Sequence, residues 1–129
     1  MIYVVDTHAL VWYFARDARL GSVAEQVLDS PDSTLVIPTI VLAELKYLSS
    51  RRRIVPAFDY IAESLEMDSR CCLEDLNDSS ARLMPDELDI HDAIICSTAL
   101  SYVGESEEDV RLVTRDEEIV AWGKVETVW

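Results

Sequence analysis

Short apolar runs alternate along the chain with longer stretches in which apolar residues recur every three or four positions. The runs are predicted to be strands, because a strand that is buried on both faces is apolar at successive positions. They cover residues 2–5, 34–37, 71–73, 110–113 and 125–128. Strands of about four residues separated by helices predict βαβ units and a mainly parallel sheet.

The periodic stretches predict helices between these strands. Ser22 and Glu25 have the spacing of a capping box, and Pro38 suits the first position of a helix. The helices are expected over residues 9–15, 22–28, 38–51, 75–84, 90–102 and 117–122, with a further one opening at Pro56. No repeat or Gly/Ser/Pro-rich linker interrupts the pattern, so residues 1–129 are expected to form one α/β domain.

The composition is that of a folded domain with its own core. Half of the 129 residues are hydrophobic and only three are glycine, which excludes collagen-like and low-complexity chains. No apolar run approaches the roughly 18 residues of a membrane helix, and Asp6 and His8 interrupt the first apolar stretch, so we expect neither a membrane segment nor a secretory signal. Three cysteines without C-x-x-C spacing are typical of core thiols in a reducing, cytoplasmic compartment.

The net charge of −14 argues against sequence-independent binding of a nucleic-acid backbone, because such binding needs clustered lysine and arginine. Two arrangements keep nucleic acid open as a partner. The acids can converge on a bound cation, or the few bases can be concentrated on one face.

Four acidic residues occupy positions where full exposure would be unusual. Asp6 directly follows the first predicted strand, and Asp116 comes shortly after the fourth. Glu44 and Asp92 each have apolar residues three and four positions away, so they share the apolar face of a predicted helix. Because ligands bind beyond the carboxyl ends of parallel strands, these side chains can meet at one edge of the sheet.

Each acid also has a purely structural interpretation. Asp6 can cap the first helix, Asp116 can cap the helix that follows it, and Asp92 can form a capping pair with Asp89. A buried salt bridge or partial exposure would account for Glu44.

If the acids do meet, they need a counter-charge. Two carboxylates about 5 Å apart repel each other by about 3 kcal/mol at an effective dielectric constant of 20. The histidines and cysteines are not at metal-ligand spacing, so an all-oxygen site would favour Mg²⁺ or Mn²⁺ over Zn²⁺. Such an ion can activate water and stabilise the departing oxygen of a phosphodiester.

Four segments carry these acids, namely VVDTHAL at residues 4–10, VLAEL at 41–45, HDAII at 91–95 and LVTRD at 112–116. In these segments the chain resembles PIN-domain ribonucleases, and in particular the VapC-like toxins of bacterial and archaeal toxin–antitoxin pairs. The segments follow the family's order over nearly the whole chain.

The resemblance implies a three-layer α/β/α sandwich with a mainly parallel central sheet. It also implies an acidic pocket that holds one or two Mg²⁺ or Mn²⁺ ions, and endonucleolytic cleavage of RNA by water to give a 3′-hydroxyl and a 5′-phosphate. Residue by residue, the acids that match the family's metal-binding and catalytic positions are Asp6, Glu44, Asp92 and Asp116.

Two threonines match positions that support the family's site, Thr114 more closely than Thr7. The sequence departs from the pattern at His8, where many relatives carry serine, and in the long acidic stretch 104–109. Two further acids directly after Asp116 leave the identity of the fourth ligand open.

RNA and protein partners are expected on other parts of the chain. Lys46, Arg51, Arg52 and Arg53 concentrate positive charge near the end of the Glu44 helix, where they either contact RNA phosphates or stabilise the helix C-terminus. Arg115 is a second predicted RNA contact.

The aromatic residues 12–14 lie in a helix that is apolar all round, so they are either core or covered by another chain. The resemblance implies a homodimer and a VapB-like antitoxin that fills the acidic groove.

Three alternatives to a toxin nuclease remain. The chain can be a free-standing PIN-domain RNA-processing nuclease or a catalytically inactive PIN-fold binding module. A phosphoacceptor domain of response-regulator type also gathers acids around Mg²⁺, but it needs a second acid after the first strand and a late lysine. Here Asp6 is followed by Thr7 and His8, and Thr114 is followed by Arg115.

Overall fold

A five-stranded parallel sheet lies at the centre of the computed structural model, which describes residues 1–129. Its strands are β1 Ile2–Val5, β2 Thr34–Pro38, β3 Cys71–Glu74, β4 Val110–Val113 and β5 Glu126–Val128. They lie in the order β3-β2-β1-β4-β5, and in this register Val4 lies between Val36 and Leu112. The five predicted strands and their parallel pairing are confirmed.

Helices pack against both faces of the sheet, which gives the predicted three-layer α/β/α sandwich. The longest continuous buried stretch in a helix is residues 93–99 of α6 (Ile90–Glu105). No helix has both the length and the apolar character needed to cross a bilayer. The helices are α1 Thr7–Ala15, α2 Ser22–Asp29, α3 Thr39–Ser50, α4 Phe58–Met67, α5 Asp78–Ala81, α6 Ile90–Glu105 and α7 Glu117–Trp122.

The core is one cluster of 26 buried residues that surrounds β1 and β4. Val4, Val5, Leu112 and Val113 on these two central strands have no exposed surface. Packing on both sides fixes the two strands, so the residues that directly follow them leave the sheet at defined positions.

Four local predictions differ from the structure. The helix expected to open at Pro56 begins two residues later, at Phe58, with Ala57 as its N-cap. Helix α2 begins after Gly21 without a side-chain cap, so the expected Ser22–Glu25 capping box is not formed. Pro38 ends β2 instead of opening α3, because proline's fixed φ suits both states and strand pairing with Glu74 selects the extended one. The helix expected over residues 75–84 is reduced to the short α5, because Asn77 caps it from an extended backbone.

The cysteines are all free thiols, as expected, but they are not all in the core. Cys96 is buried, Cys71 is half-buried and Cys72 is exposed.

Candidate metal centre

Asp6 connects the end of β1 to the start of α1. Its backbone N–H donates to the Val113 carbonyl at 3.1 Å, which extends the β1–β4 pairing by one residue. Its Oδ1 accepts the Thr7 backbone N–H at 2.6 Å, so Asp6 also caps α1. Its Oδ2 accepts the Thr114 hydroxyl at 2.6 Å. The Asp6 carboxylate therefore caps α1 and also lies at the edge of the sheet where the site forms.

Asp116 occupies the equivalent place after β4, as the N-cap of α7. Its Oδ1 accepts the backbone N–H groups of Glu118 at 2.9 Å and Ile119 at 3.0 Å. Its own N–H donates to Thr114 Oγ1 at 3.1 Å. Capping occupies one carboxylate oxygen, and Oδ2 makes no hydrogen bond within the protein.

Glu44 and Asp92 reach the site from helices α3 and α6, and both are half-buried. Glu44 Oε2 lies 4.0 Å from His91 Nδ1, a loose contact with an exposed histidine. The alternative capping role of Asp92 is not observed, because Asp89 at the N-cap of α6 makes no side-chain hydrogen bond.

Burial and mutual repulsion raise the pKa of three of these acids. The pKa of Asp92 is raised to about 6, first by burial and then by Asp116, Asp6 and Glu44. Burial also raises the pKa of Asp6, against its hydrogen bonds to Thr114 and Thr7. The pKa of Glu44 is raised by burial as well, and the nearby His91 opposes the rise. Asp6, Glu44 and Asp92 therefore share one electrostatic environment that favours protons or a cation, and the charge of Asp116 contributes to it at Asp6 and Asp92.

The tightest group of oxygens includes an acid outside the predicted four. One carboxylate oxygen each of Asp92, Asp116 and Glu118 lie within 4.8 Å of one another. Glu118 is exposed in the first turn of α7, two residues after Asp116. In the sequence, Glu117 and Glu118 directly after Asp116 leave the fourth ligand ambiguous. The structure shows that Glu118 lies close to Asp92 and Asp116.

The residues present fit a hard divalent cation. The donors are carboxylate oxygens, which Mg²⁺ and Mn²⁺ prefer. Thr7, directly after Asp6, adds a buried hydroxyl whose interaction with Glu44 opposes the rise that burial causes in the pKa of that acid.

A cleft of about 280 Å³ opens beside the acids. A larger cleft of about 700 Å³ over α1, α2 and α4 contains none of the four predicted acids. Of the aromatic residues 12–14, Trp12 is buried, whereas Tyr13 and Phe14 are half-buried at the larger cleft. The smaller cleft is lined by Asp6, His8, Ala9, Trp12, Arg115, Asp116 and Trp129.

The predicted basic contacts lie in two places. Residues 51–53 follow α3 and are all exposed, with the Arg51 guanidinium 3.6 Å from the centre of the Tyr47 ring. Arg115 lies in the smaller cleft, with its guanidinium 4.4 Å from the Trp12 ring centre. Both histidines also border the site, His8 in the cleft and His91 beside Glu44. In the sequence, His8 follows Asp6 by two residues and His91 directly precedes Asp92, and this proximity indicates that both histidines border the site.

Comparison with known proteins identifies one protein family. The family model described as PIN domain matches residues 3–124. No curated protein sequence matches the chain.

Solved structures with a similar fold include VapBC2 from Rickettsia felis bound to a DNA fragment from its promoter, at 19% identity and a TM-score of 0.67, covering 99% of this chain and 98% of that one. VapBC-1 from nontypeable Haemophilus influenzae is 19% identical with a TM-score of 0.65, covering 99% and 97% of the two chains. A toxin–antitoxin complex from Klebsiella pneumoniae is 20% identical with a TM-score of 0.69, covering 98% and 96%. At this level of identity the likeness shows a shared fold.

Proposed function

The chain belongs to the PIN domain family, and from this premise we propose that it is a divalent-metal-dependent endoribonuclease. The observation that carries the proposal is the meeting of acids from four elements at one edge of the sheet, with the pKa of Asp6, Glu44 and Asp92 raised there. A bound cation would offset the repulsion between the carboxylates of such a cluster. The expected substrate is a phosphodiester of RNA.

In this proposal Asp6, Glu44 and Asp92 hold one or two Mg²⁺ or Mn²⁺ ions, and Asp116 completes the site. A divalent cation bound there supplies a more acidic water and neutralises charge on the phosphate. Thr114 orients the Asp6 carboxylate through the 2.6 Å hydrogen bond. Glu118 is an additional ligand that supplements this set, because its carboxylate lies within 4.8 Å of those of Asp92 and Asp116.

We further propose that the chain is the toxin of a toxin–antitoxin pair and forms a homodimer. The support for the toxin role is the fold shared with two VapBC complexes and a third toxin–antitoxin complex over at least 98% of this chain, whereas the homodimer is only what the family resemblance implies. The expected partner is a VapB-like antitoxin that covers the acidic groove. A small DNA-binding protein encoded next to this chain would support a toxin, and its absence would favour a free-standing RNA-processing nuclease.

The test is cleavage of single-stranded RNA by the purified protein in Mn²⁺ and in EDTA. Asp6→Asn and Asp92→Asn are expected to remove cleavage while the circular dichroism spectrum stays unchanged. Asp32→Asn is a matched control, because Asp32 is exposed near the start of β2, at the opposite edge of the sheet. A catalytically inactive binding module would show no metal-dependent cleavage in the wild-type protein, and undiminished cleavage in both site variants would refute the assignment of the acids.

A further inference from the structure

Arg115 is an unpaired cation beside a cluster of acids. Four other arginines form ion pairs with carboxylates within 4.0 Å, but Arg115 forms none and donates no side-chain hydrogen bond. Its five N–H donors remain available at the mouth of the cleft that contains Asp6 and Asp116. In a chain with a net charge of −14, an arginine left without a carboxylate partner here is available to bind an anion.

The side chain of Arg115 rests on an aromatic surface. Its guanidinium lies 4.4 Å from the centre of the Trp12 ring and 6.0 Å from that of Trp129. Trp12 is only 6% exposed and is part of the core, so the ring that carries the guanidinium is itself fixed. A guanidinium held on an aromatic face gains a cation–π interaction and loses less conformational entropy when it binds a ligand.

The cleft has the size and the lining for one nucleotide of an RNA chain. Its volume of about 280 Å³ lies just below the roughly 300–1,000 Å³ of small-ligand pockets. The exposed His8 and the half-buried Trp129 add ring surfaces on which a base can stack. Asp6 and Asp116 form its other wall, so a ligand in the cleft would contact the candidate metal centre.

We propose that this cleft is the subsite for the nucleotide adjacent to the scissile bond. Arg115 binds the phosphate of that nucleotide, and Trp12 is a positioning residue that holds the Arg115 guanidinium in place. The inference rests on the proposed nuclease function, because it is the RNA chain that would extend from the metal centre into the cleft. Guanidinium–phosphate pairs are commonly bidentate, which would fix the register of the RNA as well as its affinity.

The test is binding of a fluorescently labelled single-stranded RNA octamer of random sequence, measured by anisotropy across a salt series. All variants are made in the Asp92→Asn background, which is expected not to cleave, and electrophoresis checks that the RNA stays intact. Arg115→Met is expected to weaken binding about tenfold at 0.1 M salt, since one charge-assisted hydrogen-bonding pair is lost. The slope of log affinity against log salt is expected to fall by about 0.7, the value of one phosphate contact on a single strand.

Trp12 is tested with two variants of similar size. Trp12→Met removes the ring and is expected to weaken binding as much as Arg115→Met does, whereas Trp12→Phe keeps a ring and is expected to restore most of the affinity. If Trp12→Met does not fold, Arg115→Lys replaces it, because lysine keeps the charge but not the planar stacking group. Arg115→Lys is then expected to recover less than half of the loss in log affinity that Arg115→Met causes.

Arg82→Met is the control, because Arg82 is an exposed arginine outside both clefts. If Arg115→Met binds RNA with the same affinity and salt slope as Arg82→Met, the subsite is refuted. If Trp12→Met binds as tightly as Trp12→Phe, the positioning role is refuted. Cleavage by the wild-type protein is measured separately. A protein that binds RNA through Arg115 without cleaving it would refute the nuclease, and with it the place of the nucleotide beside a scissile bond, but would leave RNA binding in the cleft standing.

Discussion

The Thr114 hydroxyl donates a 2.6 Å hydrogen bond to Asp6 Oδ2, across 108 residues of chain. Thr114 Oγ1 also accepts the backbone N–H of Asp116 at 3.1 Å. One buried hydroxyl therefore links the acid that follows β1 to the acid that follows β4. This link sets the orientation of Asp6 before any ligand arrives.

Thr114→Val is expected to weaken metal binding about 10–100-fold, as losses of supporting hydrogen bonds around metal ligands do. The hydrogen bond from Thr114 holds the pKa of Asp6 down against burial, so its loss raises that pKa further. Mn²⁺ binding is then expected to need a higher pH than in the wild-type protein, which calorimetric titration between pH 6 and 8 measures. Thr98→Val is the control, because Thr98 is equally buried but its hydroxyl bonds only to Ile94 within α6. An equal loss of affinity in both variants would contradict the role of Thr114.

The sequence predicts the acids of the site better than the contacts between them. Asp6 and Asp116 were found because each follows an apolar run, and parallel strands bring their carboxyl ends to one edge. The link through Thr114 was indicated only by the family resemblance. Glu118 was not distinguished from its neighbour, because the turn in which α7 begins decides which of the two faces Asp92.

Helix boundaries were predicted less well where two local signals compete. Ser22 with Glu25 fits a capping box, yet the chain enters α2 from an extended Gly21 and makes no side-chain cap. Gly21 lies so close to Trp129, a residue distant in the chain, that a Cβ at Gly21 would collide with it. Local spacing cannot report such a contact.

Asp92→Asn is expected to stabilise the metal-free protein at neutral pH. The folded state raises the pKa of Asp92 from 3.8 to about 6, so it binds this proton more tightly than the unfolded chain does. The stability that this group contributes is therefore full below pH 4 and is lost as the pH rises through about 6. The full difference corresponds to about 3 kcal/mol, and solvent screening of this partly exposed group leaves about 1 kcal/mol.

Thermal unfolding in EDTA measures this effect. At pH 7.5 the Tm of Asp92→Asn is expected to exceed that of the wild-type protein by about 3 °C, and the gain is expected to shrink towards pH 4. Added Mn²⁺ is expected to stabilise the wild-type protein and not the variant. A gain of the same size in Asp32→Asn would show that general charge reduction, and not the site, is responsible.

Gly21→Ala is expected to destabilise the fold by about 1–3 kcal/mol through overpacking. A Cβ at Gly21 would lie 2.4 Å from the backbone carbonyl carbon of Trp129 and 2.6 Å from its Cδ1, so Trp129 has to move. The edge-to-face contact between Trp129 and Trp12, at 5.6 Å, is then lost, which tryptophan fluorescence detects.

Gly104→Ala is the matched control for that substitution. A Cβ at Gly104 meets nothing within 4 Å, and the residue lies in the last turn of α6. Alanine there is expected to stabilise the helix by up to about 0.5 kcal/mol, less than in the middle of a helix. Urea unfolding that moves both variants in the same direction would contradict the close approach at Gly21.

Charge reversal of residues 51–53 to glutamate is expected to reduce RNA affinity and its dependence on salt. These arginines are all exposed and form no ion pair with a carboxylate, and the Arg51 guanidinium lies 3.6 Å from the Tyr47 ring centre. If all three contact phosphates, the slope of log affinity against log salt falls by about 2, at about 0.7 for each contact. A control that reverses Arg16, Arg82 and Lys124 makes the same change in net charge at three separated exposed positions. If the cluster only stabilises the C-terminus of α3, the salt slope of the triple variant matches that of the control, and the variant instead loses up to about 1 kcal/mol of stability.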